Sequence, residues 1–261
     1  MPVKDLAGFV ASWCVVASFG VVAMVTGCSA GSTAARHSAA DATESAVAAP
    51  VFTVAGDRPV LPSGSQDTHA QAPGAVCDSA LFASDEATGM KVADGFTLAG
   101  FPAAGALLEH FLKGTGTEVD YRAGSQISRE ARMSSAFLAV NNEIQAAVWS
   151  QLKAGRTHIR LSAAQLPTVA FDSQDSDLYW AFRGTQGLTV TGRGSRIKGR
   201  YAGALTYVIR DSYGFAASDR LDGFGPPMRY LQTVCGAPQH GEGARWFPDT
   251  ITVTVPFSRP A

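Results

Sequence analysis

The stretch SQLKAGRTHIRLS, Ser150 to Ser162, is where the chain changes its period. Upstream, Met133, Phe137, Val140, Ile144, Val148 and Leu152 recur at three- and four-residue steps, which draws one apolar stripe along a helix. Lys153 suits the last turn of that helix, where free carbonyls favour a cation, and Gly155 ends it. Directly afterwards, Thr157, Ile159 and Leu161 alternate with Arg156, His158 and Arg160. A two-residue period of this kind belongs to a half-buried strand. Helices are therefore expected before the switch and strands after it.

Working outward, the long helix is expected over residues 128–154, with Ser128 capping its start and Glu130 in the first turn. A shorter helix, AAGALLEHFLK at 103–113, places Leu107, Leu108, Phe111 and Leu112 on one face and stops at Gly114. Downstream, strands are expected at 168–171 (TVAF), 178–183 (LYWAFR), 188–191 (LTVT), 201–209 (YAGALTYVI) and 250–257 (TITVTVPF). Pro226 and Pro227 open a short helix, MRYLQTVC, closed by Gly236. This order implies an α+β fold: N-terminal helices packed on a mostly antiparallel C-terminal sheet or partly closed barrel. The sequence shows no repeat of 20 to 50 residues, which argues against a solenoid.

The N-terminal third has a different character. Residues 6–27 carry no charge, and Lys4, partly offset by Asp5, lies just ahead. A positive start, an apolar run and small residues at its end describe a signal peptide over 1–27. The competing reading is a permanent membrane span, since 22 helical residues reach about 33 Å. Val25-Thr26-Gly27-Cys28 resembles the lipobox of bacterial lipoproteins. That resemblance implies diacylglycerol on the Cys28 thiol, cleavage before it and acylation of the new amino terminus. The protein would then sit at the cell membrane, lipid-anchored on its extracytoplasmic side. In residues 29–76, thirteen of 48 are alanine and Phe52 is the one aromatic, too little apolar bulk to offset chain entropy. The expected organisation is a leader at 1–27, a lipidated cysteine with a disordered tether at 28–76, and one α+β domain at 77–261.

Four cysteines follow the same logic. Cys14 lies in the leader and Cys28 carries the lipid, which leaves Cys77 and Cys235. Outside the cell such a pair is expected to oxidise, the alternative being two buried thiols. Zinc is not expected, because no Cys-x-x-Cys or paired Cys/His spacing occurs.

Candidate chemistry centres on YVIRDSYGFAASDRLDGFG, residues 207–225. If a strand ends at Ile209, Asp211 and Tyr213 point to one side of the extended chain. A carboxylate and a phenol there can orient a polarised or metal-bound water. The competing reading is a strand terminus, with Asp211 in an Asx-turn, Gly214 permitting the bend, and Tyr213 and Phe215 packed inward. The segment RDSYGF after a tyrosine-bearing strand is similar to the Asp-x-Tyr-Asp stretch of colicin M-type bacteriocins. That resemblance implies hydrolysis of a lipid-linked wall precursor at its diphosphate, with Asp211 and Tyr213 catalytic and Mg²⁺ as cofactor. Gly214 stands where the family has a second Asp, and Asp219-Arg220 differs from the family's later His-Arg pair. Both departures argue against the same reaction. The whole chain also resembles secreted proteins of high-GC actinobacteria.

The remaining signals are weaker. GRGSRIKGR at 192–200 holds Arg193, Arg196, Lys198 and Arg200 without an acid; it is expected as a hairpin loop, either solvated or binding an anionic wall polymer or lipid headgroup. Ser195 and Lys198 fit Ser-x-x-Lys, but the partner motifs of penicillin-binding enzymes are absent. Asp172, Asp175 and Asp177 lack the glycine and glutamate of a calcium loop and suggest a turn. His110 and His240 have no evident partner. Trp180, Phe182, Tyr201, Tyr207, Trp246 and Phe247 suit either a sugar platform or the core. A net charge of −1 gives no global field to draw nucleic acid. Two functions follow: a lipid-anchored surface protein that binds an envelope component or protein partner, or a metal-dependent hydrolase using Asp211 and Tyr213.

Overall fold

The computed structural model describes residues 50–60, 76–175, 177–182, 185–215, 224–236 and 243–261. The leader, Cys28, most of the tether, Asp219, Arg220 and His240 lie outside the described residues. Six strands form one open sheet: β1 (Phe52–Arg58), β2 (Val119–Tyr121), β3 (His158–Leu161), β4 (Gly187–Ile197), β5 (Arg200–Tyr213) and β6 (Phe247–Pro260). Their order is β2-β6-β5-β4-β1-β3. The four inner strands are antiparallel neighbours, while both edges pair in parallel, β3 with β1 and β2 with β6. The α+β class therefore holds. The sheet is mixed and unclosed: its inner pairs are antiparallel as expected, both edge pairs are parallel, and the alternative of a partly closed barrel does not hold.

β1 corrects the expected tether. Its sequence FTVAGDR buries Phe52 and Val54 and turns Ala55 and Asp57 outward, a two-residue alternation inside the alanine-rich segment. Seven residues cannot nucleate alone, but here they are hydrogen-bonded on both sides, to β3 and to β4. Pairing on two edges supplies what the composition lacks. At one point the fit depends on glycine: a Cβ on Gly194 would drive into the Phe52 ring. The β4–β5 turn is tighter than the loop expected from its charges. Only Lys198 (φ 50°) and Gly199 (φ 73°) leave the ladder, a two-residue turn whose positive φ values match the strand twist.

Six α-helices are described: α1 (Ser79–Leu98), α2 (Pro102–Leu112), α3 (Gln126–Met133), α4 (Ser135–Lys153), α5 (Asp177–Ala181) and α6 (Gly225–Tyr230), the last continued by a π-turn over Leu231–Cys235. The long helix expected at 128–154 is two helices. Ser134 breaks it with extended backbone (ψ 148°), and its hydroxyl caps α4 by accepting the Phe137 N–H. Met133 consequently leaves the stripe and is 75% exposed, whereas Phe137, Val140, Ile144, Val148 and Leu152 are buried. Ser125 caps α3, while the Ser128 hydroxyl donates to the Thr252 carbonyl at 2.6 Å and ties that helix to β6. Residues 178–183 were expected to be a strand, yet 177–181 are helical, since Leu178, Ala181 and Phe182 bury at helical spacing. Residues 168–171 bury Val169 and Phe171 without joining the sheet.

All the strongly buried sheet residues point one way, toward the helices. Tyr207 of β5 packs edge-on against Phe137 of α4, and its hydroxyl donates to Asn141 at 2.9 Å. Phe111 of α2 meets Tyr213 and Phe215 at the other end of β5. Cys77 and Cys235 meet, with sulfurs 2.01 Å apart, joining the start of α1 to the end of the π-turn.

α2 starts without a cap of its own; Phe101 has no side-chain acceptor to offer. Asp177 supplies one from α5, accepting the N–H groups of Ala103 and Ala104 at 2.8 Å each. An anion at a helix start satisfies orphan donors and the dipole together. Asp177→Ala is expected to lower stability by about 2 kcal/mol, and Asp177→Asn by less, in thermal melts. Equal melts for wild type and Asp177→Ala would show that water caps α2 as well as the carboxylate does.

Candidate functional site

β5 does not end at Ile209. It runs to Tyr213, so Leu205, Tyr207, Ile209, Asp211 and Tyr213 all face the helices. Asp211 therefore lies in the strand ladder opposite β6 and not in an Asx-turn. Opposite lies β6, whose inward residues are Phe247, Asp249, Ile251, Val253 and Val255. The register sets Asp211 directly against Asp249 and Tyr213 against Phe247. Side chains so opposed have Cβ atoms roughly 5 Å apart.

The result is a pair of carboxyl groups on the core side of the sheet. Asp249 is fully buried, and neither carboxylate oxygen accepts a hydrogen bond from another described residue. Asp211 is half-buried. Burial is the larger cause of a raised pKa in both. It lifts Asp211 to about 6 and Asp249 well above the usual carboxylate range, and the Asp211 charge adds to the lift on Asp249. Around them, burial and the nearby Asp249 push the Tyr121 phenol up to about 12 and raise Tyr213 as well. Below about pH 6 Asp211 therefore keeps its proton.

Tyr213 is held by aromatic neighbours: stacked on Phe247 at 5.3 Å, and edge-on to Phe111 and Phe215 at 6.0 Å. Phe247 also meets the His110 ring at 4.5 Å. His110 does not reach the carboxyl pair; its Nε2 stands 2.9 Å from the Thr117 carbonyl and within 3.3 Å of the Thr115 and Thr117 hydroxyls. It pins the loop after α2. Chemically, a carboxyl that keeps its proton near pH 6 can serve as a general acid, and half-buried Asp211 is the member a substrate could approach. For a divalent cation the fit is poor: among the described residues no three His, Cys, Asp or Glu side chains gather to hold a metal ion.

The opposite face of the sheet carries no helix-facing core. Apart from Val208 and Ile197, most of its outward residues are polar or small, and three cross-strand rows can be traced on it. Thr53 stands between His158 and Arg193; Ala55 stands between Arg160 and Thr191, whose row continues to Thr206 and Thr254; Asp57 pairs with Thr189. A depression of about 550 Å³ follows these rows, with Ala55 on its floor and His158, Arg160, Thr189 and Thr191 around it. Asp57 is already engaged, accepting from the Thr189 hydroxyl and from Arg210 at 3.3 Å. Arg160 and Arg193 are exposed and have no acidic partner among the described residues. The basic stripe expected at 156–160 thus does face outward, and β4 adds Arg193 to it.

A second depression, of about 600 Å³, lies where α1, α3 and α5 converge, lined by Thr97, Gln126, Glu130, Met133 and Asp177 among others. Neither depression touches Asp211 or Tyr213. Of the aromatic residues weighed as a sugar platform, Phe182, Tyr207 and Phe247 are core, and Trp180 and Trp246 are each 39% exposed. Among the described residues no helix is long and apolar enough to cross a membrane.

Sequence reasoning missed Asp249. The signal was available: Phe247, Ile251, Val253, Val255 and Phe257 are the inward set of one alternating strand, and position 249 falls in phase with them. No protein-family model, curated protein or solved structure matches this chain.

Proposed function

We propose that the chain is a membrane-anchored cell-surface lipoprotein whose extracytoplasmic domain binds a component of the envelope. The residues around Cys28 support the anchor. The observation that carries the binding reading is the outward sheet face, which no described helix covers and where Arg160, Arg193 and His158 stand out among threonine hydroxyls. A cationic face of this kind on a chain of net charge −1 is suited to an acidic partner. In detergent, the full chain is expected to sediment with purified cell-wall material and to be released as salt rises from about 0.1 to 1 M, where screening shortens to ~3 Å. Cys28→Ala is expected to abolish labelling by a palmitate analogue and leave wall binding unchanged. A chain that stays in the supernatant at low salt would end the binding reading.

The raised pKa of Asp211 supports a second reading, a hydrolase of lipid-linked wall precursors in which Asp211 serves as the general acid. Incubation with a polyprenyl diphosphate and Mg²⁺ separates the two. Product that disappears in Asp211→Ala favours the hydrolase.

A further inference from the structure

We infer that the trough on the open sheet face is an anion site for a phosphodiester-linked polyol chain of the cell envelope, with Arg160 and Arg193 holding phosphate and the surrounding threonines holding hydroxyls. This inference deepens the binding reading above and rests on it.

The argument starts from the register. Ala55 of β1 faces Arg160 on β3 and Thr191 on β4; two residues back along the same strand, Thr53 faces His158 and Arg193. The two arginines therefore rise from strands on either side of β1, one row apart. Strand spacing and rise put their Cα atoms roughly 12 Å apart, within converging reach of two side chains over one trough. Ala55, Arg160 and Thr191 line that trough, and Arg193, opposite Thr53 in the neighbouring row of β4, stands beside it, so an anion held by Arg160 lies toward the side from which Arg193 can reach.

Charge favours an anion there. Asp57, the acid of the trough, is already neutralised by Arg210 and accepts from Thr189. Arg160 and Arg193 are left without acidic partners among the described residues. A guanidinium offers a planar fork of donors that fits phosphate in two-pronged fashion. His158 is fixed beside them, its Nδ1 3.1 Å from the Thr53 hydroxyl.

The remaining chemistry is hydroxyl. Thr191, Thr206 and Thr254 follow one another across β4, β5 and β6 in a single row, and the last two hydroxyls bond each other at 3.1 Å. Neighbouring strands lie about 4.8 Å apart, so this row presents hydroxyls at short, regular intervals leading away from the arginines. A ligand with one charge and no hydroxyls would use the arginines and leave the row idle. A polyol phosphate uses both. Among the described residues no Phe, Tyr or Trp lines the trough, so a nucleic-acid base finds no large ring to stack on there.

The test is equilibrium binding of the full chain in detergent to poly(glycerol phosphate), with inorganic phosphate, a carboxylate polysaccharide and single-stranded DNA of matched charge as comparison probes. Poly(glycerol phosphate) is expected to bind at least tenfold more tightly than each of the others. Arg160→Ala with Arg193→Ala is expected to weaken it at least tenfold, and Ala55→Glu, which puts an anion on the floor, to do the same. All three positions are exposed, and unchanged melting temperatures will show the fold intact. Equal binding of DNA or of the carboxylate polymer overturns the ligand class. Wall binding that survives both variants overturns the site and leaves the binding reading standing. No binding to any wall material by wild type sinks the reading itself.

Discussion

Replacing Cys77 and Cys235 together by alanine is expected to lower the unfolding free energy by about 5 kcal/mol. The bridge closes a loop of 158 residues, and in the chain-entropy account the unfolded state gains that much freedom when so long a loop opens. A domain of this size has a total stability of only about 5 to 15 kcal/mol, so the variant is left marginal at best. The native contacts give it little to fall back on. Cys77 precedes α1 and is held locally by Asp78, whose N–H donates to the Tyr230 hydroxyl at 2.8 Å. Cys235 is fully buried at the end of the π-turn, so its loss also removes packing. Denaturant unfolding in non-reducing buffer should show the midpoint falling sharply. The slope should rise, because an unlinked denatured chain exposes more surface. An unchanged midpoint would mean that contacts between α1 and α6, and not the covalent link, hold the two ends together.

The parts of this fold that were legible share a cause. Where a single period runs unbroken and buries one face, as in α2, β3 and β6, position in the alternation decides the element and the sequence displays it. Three failures show what it does not display. β1 is seven residues in an alanine-rich segment, and its stability comes from two neighbouring strands that lie far away in sequence. α1 has small residues where a stripe would be: Gly89 and Ala93 are among its buried positions, and a Cβ on Gly89 would run into Leu112 and Met228. Close approach to α2 replaces bulk, so no amphipathic pattern appears. α5 is a run of aromatic residues that would serve as a strand; what turns it is its first residue, Asp177, committed to capping α2. Register was illegible too. Asp211 and Asp249 become neighbours only through the β5–β6 pairing, which no local pattern fixes.

That pairing sets the second large effect. In the unfolded chain both carboxyls titrate near 3.8; in the native state burial lifts Asp211 to about 6 and Asp249 well above the ordinary carboxylate range. Between those values the native state binds more protons than the unfolded one, so stability falls as pH rises. The pair's full contribution is present below about pH 4 and is lost as pH climbs through 6 and beyond. At 1.36 kcal/mol per unit, the Asp211 shift alone is worth on the order of 3 kcal/mol. Wild type is therefore expected to melt several degrees higher at pH 5 than at pH 8, the reverse of a protein held by salt-bridged carboxylates. Asp249→Asn removes the buried charge and keeps the shape. It is expected to raise the melting temperature at pH 8 and to flatten the profile between pH 5 and 8, while burial keeps the Asp211 pKa raised. Burial also raises Asp211, Asp85 and Asp177 on their own account, so a residual slope of the same sign should persist. A variant with the wild-type slope would place the pH dependence in those three groups and not in Asp249. The same variant separates the two functional readings. A binding module working through the far face of the sheet keeps its wall affinity when Asp249 is neutral. A hydrolase that uses Asp249 beside Asp211 loses rate in this variant.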